Sequence, residues 1–367
     1  LNDLHFIKGG GAFTGSCIDG GAGSEQGCHA VLYLGMPAVK SFGPLLIAVV
    51  PIFAIGHAMA ADVPAPRAQS ITPGVWLIPG SLLPNGQPDG NTVTFKAPQG
   101  LIVMDTGRHI WQRRAILDFA KDEGKPIVAI VNSHWHLDHV SGNPDIRAAY
   151  PGLKVYASGA IKDALKGFLA RSAADSQAYL DSGKLPPETA EDVRADMATI
   201  KNGHALLPEV VIGKSSRRKI GGKVLDVYLA RNAATAGDVW VYDPATKVVA
   251  TGDLVTLPAP FLDTACSNGW STALGEIAKT PFMTAIPGHG APMTRAGFAT
   301  YRKAFDTLLI CSASNREATD CAAEWSRNIE GLLTPGAGTV KGAQDMTLYY
   351  VKDVLRAHGG NSAECKV

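Results

Sequence analysis

The chain has 367 residues, 34 Lys and Arg against 33 Asp and Glu, a formal net charge of +1, and 46% hydrophobic against 18% charged residues. Near neutrality offers no field to gather nucleic-acid phosphates, and the charged fraction is too high for a chain that crosses a membrane many times and too balanced for a disordered one. Forty Gly and 23 Pro, set among β-branched runs, point to many strand-to-loop junctions rather than a helical bundle.

Residues 1–35 are glycine-rich and aperiodic and are expected to be an untranslated or disordered extension. Met36 then opens a signal-peptide pattern over 36–60: Lys40, an apolar run from Pro44 to Ile55, and the cleavage-like triplet Ala58-Met59-Ala60. A retained anchor needs about 20 apolar residues, and this shorter run is interrupted by Pro44 and Pro51. The expected product is a periplasmic or secreted protein beginning at Ala61, with residues 61–367 forming a single domain that ends in a helical tail, and with no stable membrane anchor. Cys17 and Cys28 fall in the removed part, leaving Cys266, Cys311, Cys321 and Cys365. An even number in an oxidising compartment predicts two disulfides. Cys311 and Cys321 flank the polar turn Ser312-Ala313-Ser314-Asn315 and are the first choice of pair, which leaves Cys266 with Cys365.

Along the expected domain, Gly74–Ile78, Asn91–Phe95 and Leu101–Met104 read as strands between Gly, Pro and Asn turns. Ile110 to Glu123 shifts to helical spacing, stopped by Gly124, and Pro126–Asn132 is a buried-type strand. Ala160 to Asn202 reads as two or three amphipathic helices broken around Gly183 and Pro186-Pro187, with no visible chemistry. Strands return over 209–255, and Phe298, Tyr301, Phe305, Leu308 and Leu309 lie at helical spacing in the tail from Arg295 to Cys311.

The chemistry is concentrated where the strand 126–132 ends, in His134-Trp135-His136-Leu137-Asp138-His139. Three imidazoles and a carboxylate in six residues form a dense ligand set. His134 and His136, on a loop, can face one ion, while Asp138 and His139, turning onto a helix, face a neighbour. Neutral imidazole with carboxylate suits zinc, with iron or manganese as alternatives. Trp135, between the ligands, either lines the mouth of a pocket or packs on the next loop.

This motif resembles that of the metallo-β-lactamase fold superfamily, His-x-His-x-Asp-His after a core strand, and the resemblance runs over most of the expected domain. Asp105-Thr106-Gly107 looks like the family's aspartate turn, which orders the metal loop from behind; Gly252-Asp253 looks like the source of a carboxylate bridging two metals; Pro287-Gly288-His289-Gly290 looks like its late ligand loop. The resemblance implies an α/β fold, a four-layer αββα sandwich of two mixed sheets flanked by helices. It also implies a departure. Where the family has a histidine in a His-Thr-x-Gly-Asp-like segment, this chain reads Ala234-Thr235-Ala236-Gly237-Asp238. By that mapping the first metal position keeps His134, His136 and Asp253, and the second keeps Asp138, His139, His289 and Asp253. One zinc is therefore expected to bind tightly and a second weakly, unless Asn232 or His204 substitutes as a ligand.

The activity implied is a metal-dependent hydrolase of a small ester, lactone, thioester or amide, with Asp138 as both ligand and catalytic proton shuttle. A β-lactamase is an alternative, and a weakened relative that binds metal or ligand without turnover is another. The expected partner is a small molecule and not nucleic acid; nothing in the sequence sets an oligomeric state. The loop Pro258–Leu262 is expected to flank the cleft and to favour an apolar or neutral substrate.

Overall fold

The structure, a computed structural model, describes residues 66–81, 86–334 and 340–366. The expected extension 1–35 and signal segment 36–60 lie outside the described residues. So do the first residues of the expected domain.

Among the described residues, thirteen strands form two sheets. The first holds β1 (Gln69–Thr72), β2 (Val75–Ile78), β3 (Thr92–Ala97), β4 (Gly100–Met104), β5 (Ile127–Val131), β6 (Lys154–Ala157) and β7 (Val210–Val211), in that order across the sheet. Hairpin neighbours β1 to β4 pair antiparallel and β4 to β7 pair parallel. The second holds β8 (Ser216–Ile220), β9 (Lys223–Arg231), β10 (Gly237–Asp243), β11 (Val248–Ala250), β12 (Thr284–Ile286) and β13 (Met293–Thr294), laid out in reverse order, with only β11 and β12 parallel. The expected mixed sheets are thus present. Strand β1, whose residues are half or fully exposed, carries no apolar alternation and was not legible as a strand.

Alternation explains the layering, because successive side chains of a strand point to opposite faces. In β4, Ile102 and Met104 face the second sheet, while Leu101 and Val103 face helices. In β10, Val239 and Val241 turn to the first sheet and Trp240 and Tyr242 to the helices on the far side. Strands buried on both faces read as continuous apolar runs, as these do.

Helices α1 (Ile110–Asp122), α2 (Leu137–Val140) and α3 (Asn143–Ala149) follow strands β4 and β5. Ala115, Ile116 and Ala120 of α1 and Ile146 of α3 cover the outer face of the first sheet. Next come α4 (Ile161–Lys166), α5 (Phe168–Asp181) and α6 (Pro187–Lys201), three helices where two or three are expected between Ala160 and Asn202. The outer face of the second sheet is covered by α7 (Ser267–Lys279), α8 (Arg295–Ser312), α9 (Ala318–Ile329) and α10 (Val340–Tyr349). Thr294 caps α8 by accepting the Gly297 N–H at 3.2 Å, and Phe298, Tyr301, Phe305 and Leu308 form its buried stripe. Each such side chain contributes about 1.5–3 kcal/mol on leaving water. Disulfides join Cys266 to Cys365 and Cys311 to Cys321, tying the tail to α7 and α8 to α9. No described helix is long and apolar enough to cross a membrane.

Candidate metal centre

Strands β4, β5, β11 and β12 end on one edge of the sandwich, and the loops leaving them meet there. After β5 the chain turns through Ser133–His136 into α2, setting His134 and His136 on the loop and Asp138 and His139 in the first helical turn. Asp253 follows β11 and His289 follows β12; the parallel pairing of Ala250 with Ile286 brings those two exits side by side. Two glycines allow the close approach. A Cβ on Gly288 would lie 1.7 Å from Asp253 Oδ1, and one on Gly90 would lie 2.4 Å from the His139 ring.

The six side chains are buried and form two groups, His134 with His136 and Asp253, and Asp138 with His139 and His289; within each, one ligand atom per residue lies within 4.8 Å of the others. Asp253 faces both. Its Oδ2 is 3.6 Å from His134 Nε2, and its Oδ1 is 3.3 Å from His139 Nε2 and 3.7 Å from His289 Nε2. Asp138 Oδ2 lies 2.9 Å from His289 Nε2 and 3.3 Å from His139 Nε2.

Hydrogen bonding behind the ligands sets which ring nitrogens carry lone pairs into the centre. Asp105, held in left-handed backbone (φ 63°) just past β4, accepts the Ser133 amide at 2.7 Å and the Ser133 hydroxyl at 2.6 Å, and its Oδ2 lies 2.9 Å from His139 Nδ1. Asp tolerates that backbone better than most residues. Nδ1 of His139 therefore carries the proton and Nε2 is left for the centre. Ser133 has given its one hydrogen to Asp105, so its oxygen accepts from His134 Nδ1 at 2.9 Å, and His134 Nε2 is also left with a lone pair. The sequence expectation placed Asp105 behind the metal loop; in the structure it reaches two of the histidines, one directly and one through Ser133.

Without a cation this assembly is electrostatically unfinished. His134 Nε2 and both oxygens of Asp253 are buried with no hydrogen-bond partner, and His139 Nε2 and His289 Nε2 face each other at 3.3 Å. Burial, then the charges of His139 and His136, holds His134 well below the usual imidazole range. His139 is driven the other way: burial opposes its charge, but Asp253, Asp138 and Asp105 outweigh burial and raise it well above that range. Burial likewise opposes charge on Asp253, yet His139, His289 and His134 keep it ionised. A buried carboxylate with no donor is costly, and a divalent cation answers the whole set at once. The donors therefore fit a metal, and imidazole with carboxylate suits zinc.

A model of the metallo-β-lactamase superfamily matches residues 86–289, from the loop before β3 to His289. The chain belongs to that superfamily. Among curated relatives in sequence, the (R)-specific secondary-alkylsulfatase of Pseudomonas sp is 27% identical over 215 residues, 51% of this chain and 32% of that protein. The hydroxyacylglutathione hydrolase of Gloeobacter violaceus is 47% identical over 47 residues, 13% of this chain and 19% of that protein. The chain thus matches a third or less of the length of either relative. In structure, the stereoselective inverting sec-alkylsulfatase Pisa1 from Pseudomonas sp. shares the fold at a TM-score of 0.54 and 20% identity, over 78% of this chain and 50% of that one.

Against the superfamily pattern, the departure at Ala234 has a local answer. Ala234 is buried, and its carbonyl accepts the hydroxyl hydrogen of Thr264 at 2.9 Å. Thr264 Oγ1 also lies 3.1 Å from His136 Nε2. With its hydrogen engaged on Ala234, Thr264 accepts from His136 Nε2–H, which leaves Nδ1 as the lone-pair atom of that ring. The substitutes weighed from sequence do not join the groups. His204 is exposed on the turn Gly203–Leu206. Asn232 opens a tight turn in left-handed backbone (φ 50°), its amide bonded to Ala236 at 3.3 Å, and among the described residues its side chain bonds no candidate ligand. Asp238, at the end of that turn, is pushed up to about 7 by burial, although Thr235 donates to it twice.

A second network was not visible in sequence. Arg108 is buried, its guanidinium paired with Asp196 of α6, 3.8 Å from Asp138 Oδ1 and donating from Nε to Pro88 O at 3.0 Å. Beside it His109 lies between Asp89, 2.7 Å from Nδ1, and Asp192, 3.1 Å from Nε2. Burial pulls the His109 imidazolium down, but Asp192 and then Asp89 outweigh it and lift the group to about 9. Asp192 and Asp196, four apart on one face of α6, grip the neighbours Arg108 and His109. The segment read as chemically silent thus reaches a candidate ligand. Trp135, left open between two roles, packs against Phe168 and Leu206.

Proposed function

We propose that the chain is an exported zinc-dependent hydrolase acting on a small ester, lactone, thioester or amide. The observation that carries this reading is the convergence of two buried ligand groups on Asp253, whose oxygens, with His134 Nε2, have no other partner. His134, His136 and Asp253 would hold one ion; Asp138, His139, His289 and Asp253 would hold the other and the tighter. Zinc held by such donors would supply Lewis acidity toward the attacked oxygen and a water nucleophile at neutral pH.

The protein's own groups do the rest. Asp105 and Ser133 hold His134 and His139 in the tautomers that present Nε2, and Thr264 does the corresponding work for His136. Asp138, kept ionised by His139 and His289 and faced by Arg108, would accept and return a proton. Export is supported by the two disulfides, which persist in oxidising compartments, and by the signal pattern at 36–60. The removed segment itself is tested by terminal sequencing of secreted protein, expected to begin at Ala61.

The test is metal content by elemental analysis, together with hydrolysis of carboxylic ester, thioester, lactone, β-lactam and alkyl sulfate probes before and after chelation. The expected result is about one zinc retained per chain, with chelator-sensitive turnover of at least one probe. The second reading, a relative that binds without turnover, rests on Ala234. Retained zinc with no turnover of any probe would favour it, and absence of any retained metal would sink both.

A further inference from the structure

Beside His289 the structure holds a cleft of about 230 Å³. Leu77 and Pro79 from the end of β2 form one side, Leu257 and Phe261 from the loop after Asp253 another, and Leu332 and Leu333 from the tail a third. Two polar side chains on its wall, Asp89 and Asn91, are already engaged. Asp89 accepts the Arg108 and His109 amides and Trp111 Nε1, and lies against His109 Nδ1. Asn91 donates to Pro287 O at 3.0 Å and Gly290 O at 2.8 Å and accepts the Gly80 amide at 2.9 Å. Among the described residues, no Lys or Arg lines it. A ligand lying there finds apolar surface, no counter-charge for an anionic end, and contact with the centre through His289, whose ring meets Phe261 edge-on at 5.2 Å.

The third side belongs to this chain and not to the region matched by the superfamily, which ends at residue 289. It is firmly seated. Trp325 Nε1 of α9 donates to Pro258 O at 2.9 Å, Cys311–Cys321 ties α8 to α9, and Leu332 and Leu333 pack on the helical core while remaining half-exposed. An apolar cavity of about 150 Å³ admits benzene, with six carbons, so this one admits an aliphatic chain of roughly eight or nine.

We propose that this cleft seats the unbranched, uncharged hydrocarbon chain of the substrate, and that Leu332 and Leu333 of the tail set how long a chain is accepted. The assignment rests on the reading of His289 as part of the hydrolytic centre. The chain lies between the apolar walls, and the scissile group sits at the His289 end.

Two measurements separate this from the hydrolase reading. The first is hydrolysis by the zinc-loaded protein of 4-nitrophenyl esters from acetate to dodecanoate. The expected kcat/KM rises about two- to fourfold per methylene, as burial of a CH₂ predicts, and levels off near octanoate. Leu333→Asp and Leu332→Asp should flatten that rise, and Leu333→Trp should shorten the optimum. The second is calorimetric titration with 1-octanol, which needs no turnover; its binding should be lost in Leu333→Asp. Esters hydrolysed with no dependence on chain length, or with a dependence untouched by the three variants, would overturn the proposal. Octanol bound and then lost in Leu333→Asp, with no ester hydrolysed, would support the cleft while the hydrolase reading fell. Octanol not bound by the unmodified protein would overturn the cleft.

Discussion

The two halves of the ligand set are built differently. Asp138 and His139 come from the first turn of a helix, and His289 from a loop that glycine lets close onto Asp253; this group has its side chains complete and is braced by Asp105 and by Arg108. The other keeps His134 and His136 on an irregular loop, and the segment in which the family pattern has a histidine carries Ala234, whose carbonyl accepts from Thr264. Tethering a ring by hydrogen bonds fixes its tautomer and direction but does not replace a donor atom. Rings are oriented in both halves, but besides Asp253 the group of His134 offers two candidate ligand side chains and that of Asp138 three.

That inequality can be broken experimentally, and the largest effect is expected at His289. His289→Ala should reduce retained zinc from about one per chain to near zero, while His134→Ala should leave most of it, because only the first removes a donor from the complete group. Elemental analysis after identical dialysis decides this, and loss with His134 but not with His289 would reverse the ranking. Asp105→Asn should come next. It weakens the brace on His139 and, through Ser133, on His134, so affinity for both ions should fall together by about 10–100-fold. An effect confined to one ion, read by competition with a chromophoric chelator, would contradict the shared brace.

The candidate ligands cluster in sequence: four of the six lie between His134 and His139, directly after a strand with an apolar run. Asp253 and His289 were legible only through the resemblance of Gly252-Asp253 and Pro287-Gly288-His289-Gly290 to the family's motifs; the close contact of Gly288 with Asp253 shows why glycine stands there. Thr264 was not, since it meets His136 across 128 residues and is one of many polar loop residues. Asp196 meets Arg108 across 88 residues and looks, in its own helix, like part of a solvated face. Helix existence follows from local periodicity, whereas which polar face is buried depends on what the fold packs against it. The same holds for Leu332 and Leu333, whose apolar character reads as tail packing until the cleft is seen.

A smaller effect is expected at Thr264. Thr264→Val keeps the shape and removes the acceptor for His136 Nε2–H, so the weaker ion should loosen by about tenfold with the tight ion unchanged, and Thr264→Ser should restore it. Ala234→His should act in the opposite sense and raise zinc toward about two per chain, by supplying the missing donor. Calorimetric titration of the metal-free protein reads both, and a change in the tight ion from either variant would place Thr264 and Ala234 in the wrong half.

The last difference between the halves is a titration behind the braced one. His109 is held between Asp89 and Asp192 and lifted from 6.5 to about 9, whereas no comparable histidine stands behind Thr264. Because the folded value lies above the unfolded one, the stability His109 contributes is fully present below about pH 6.5 and is lost as pH rises through about 9. The raised value corresponds to about 3 kcal/mol at most. Denaturant unfolding at constant zinc should therefore show stability falling between these limits in the native protein, and the fall should be smaller by that amount in His109→Gln. Parallel pH profiles for the two proteins would show that the ion pairs to α6 do not hold the wall behind Asp138.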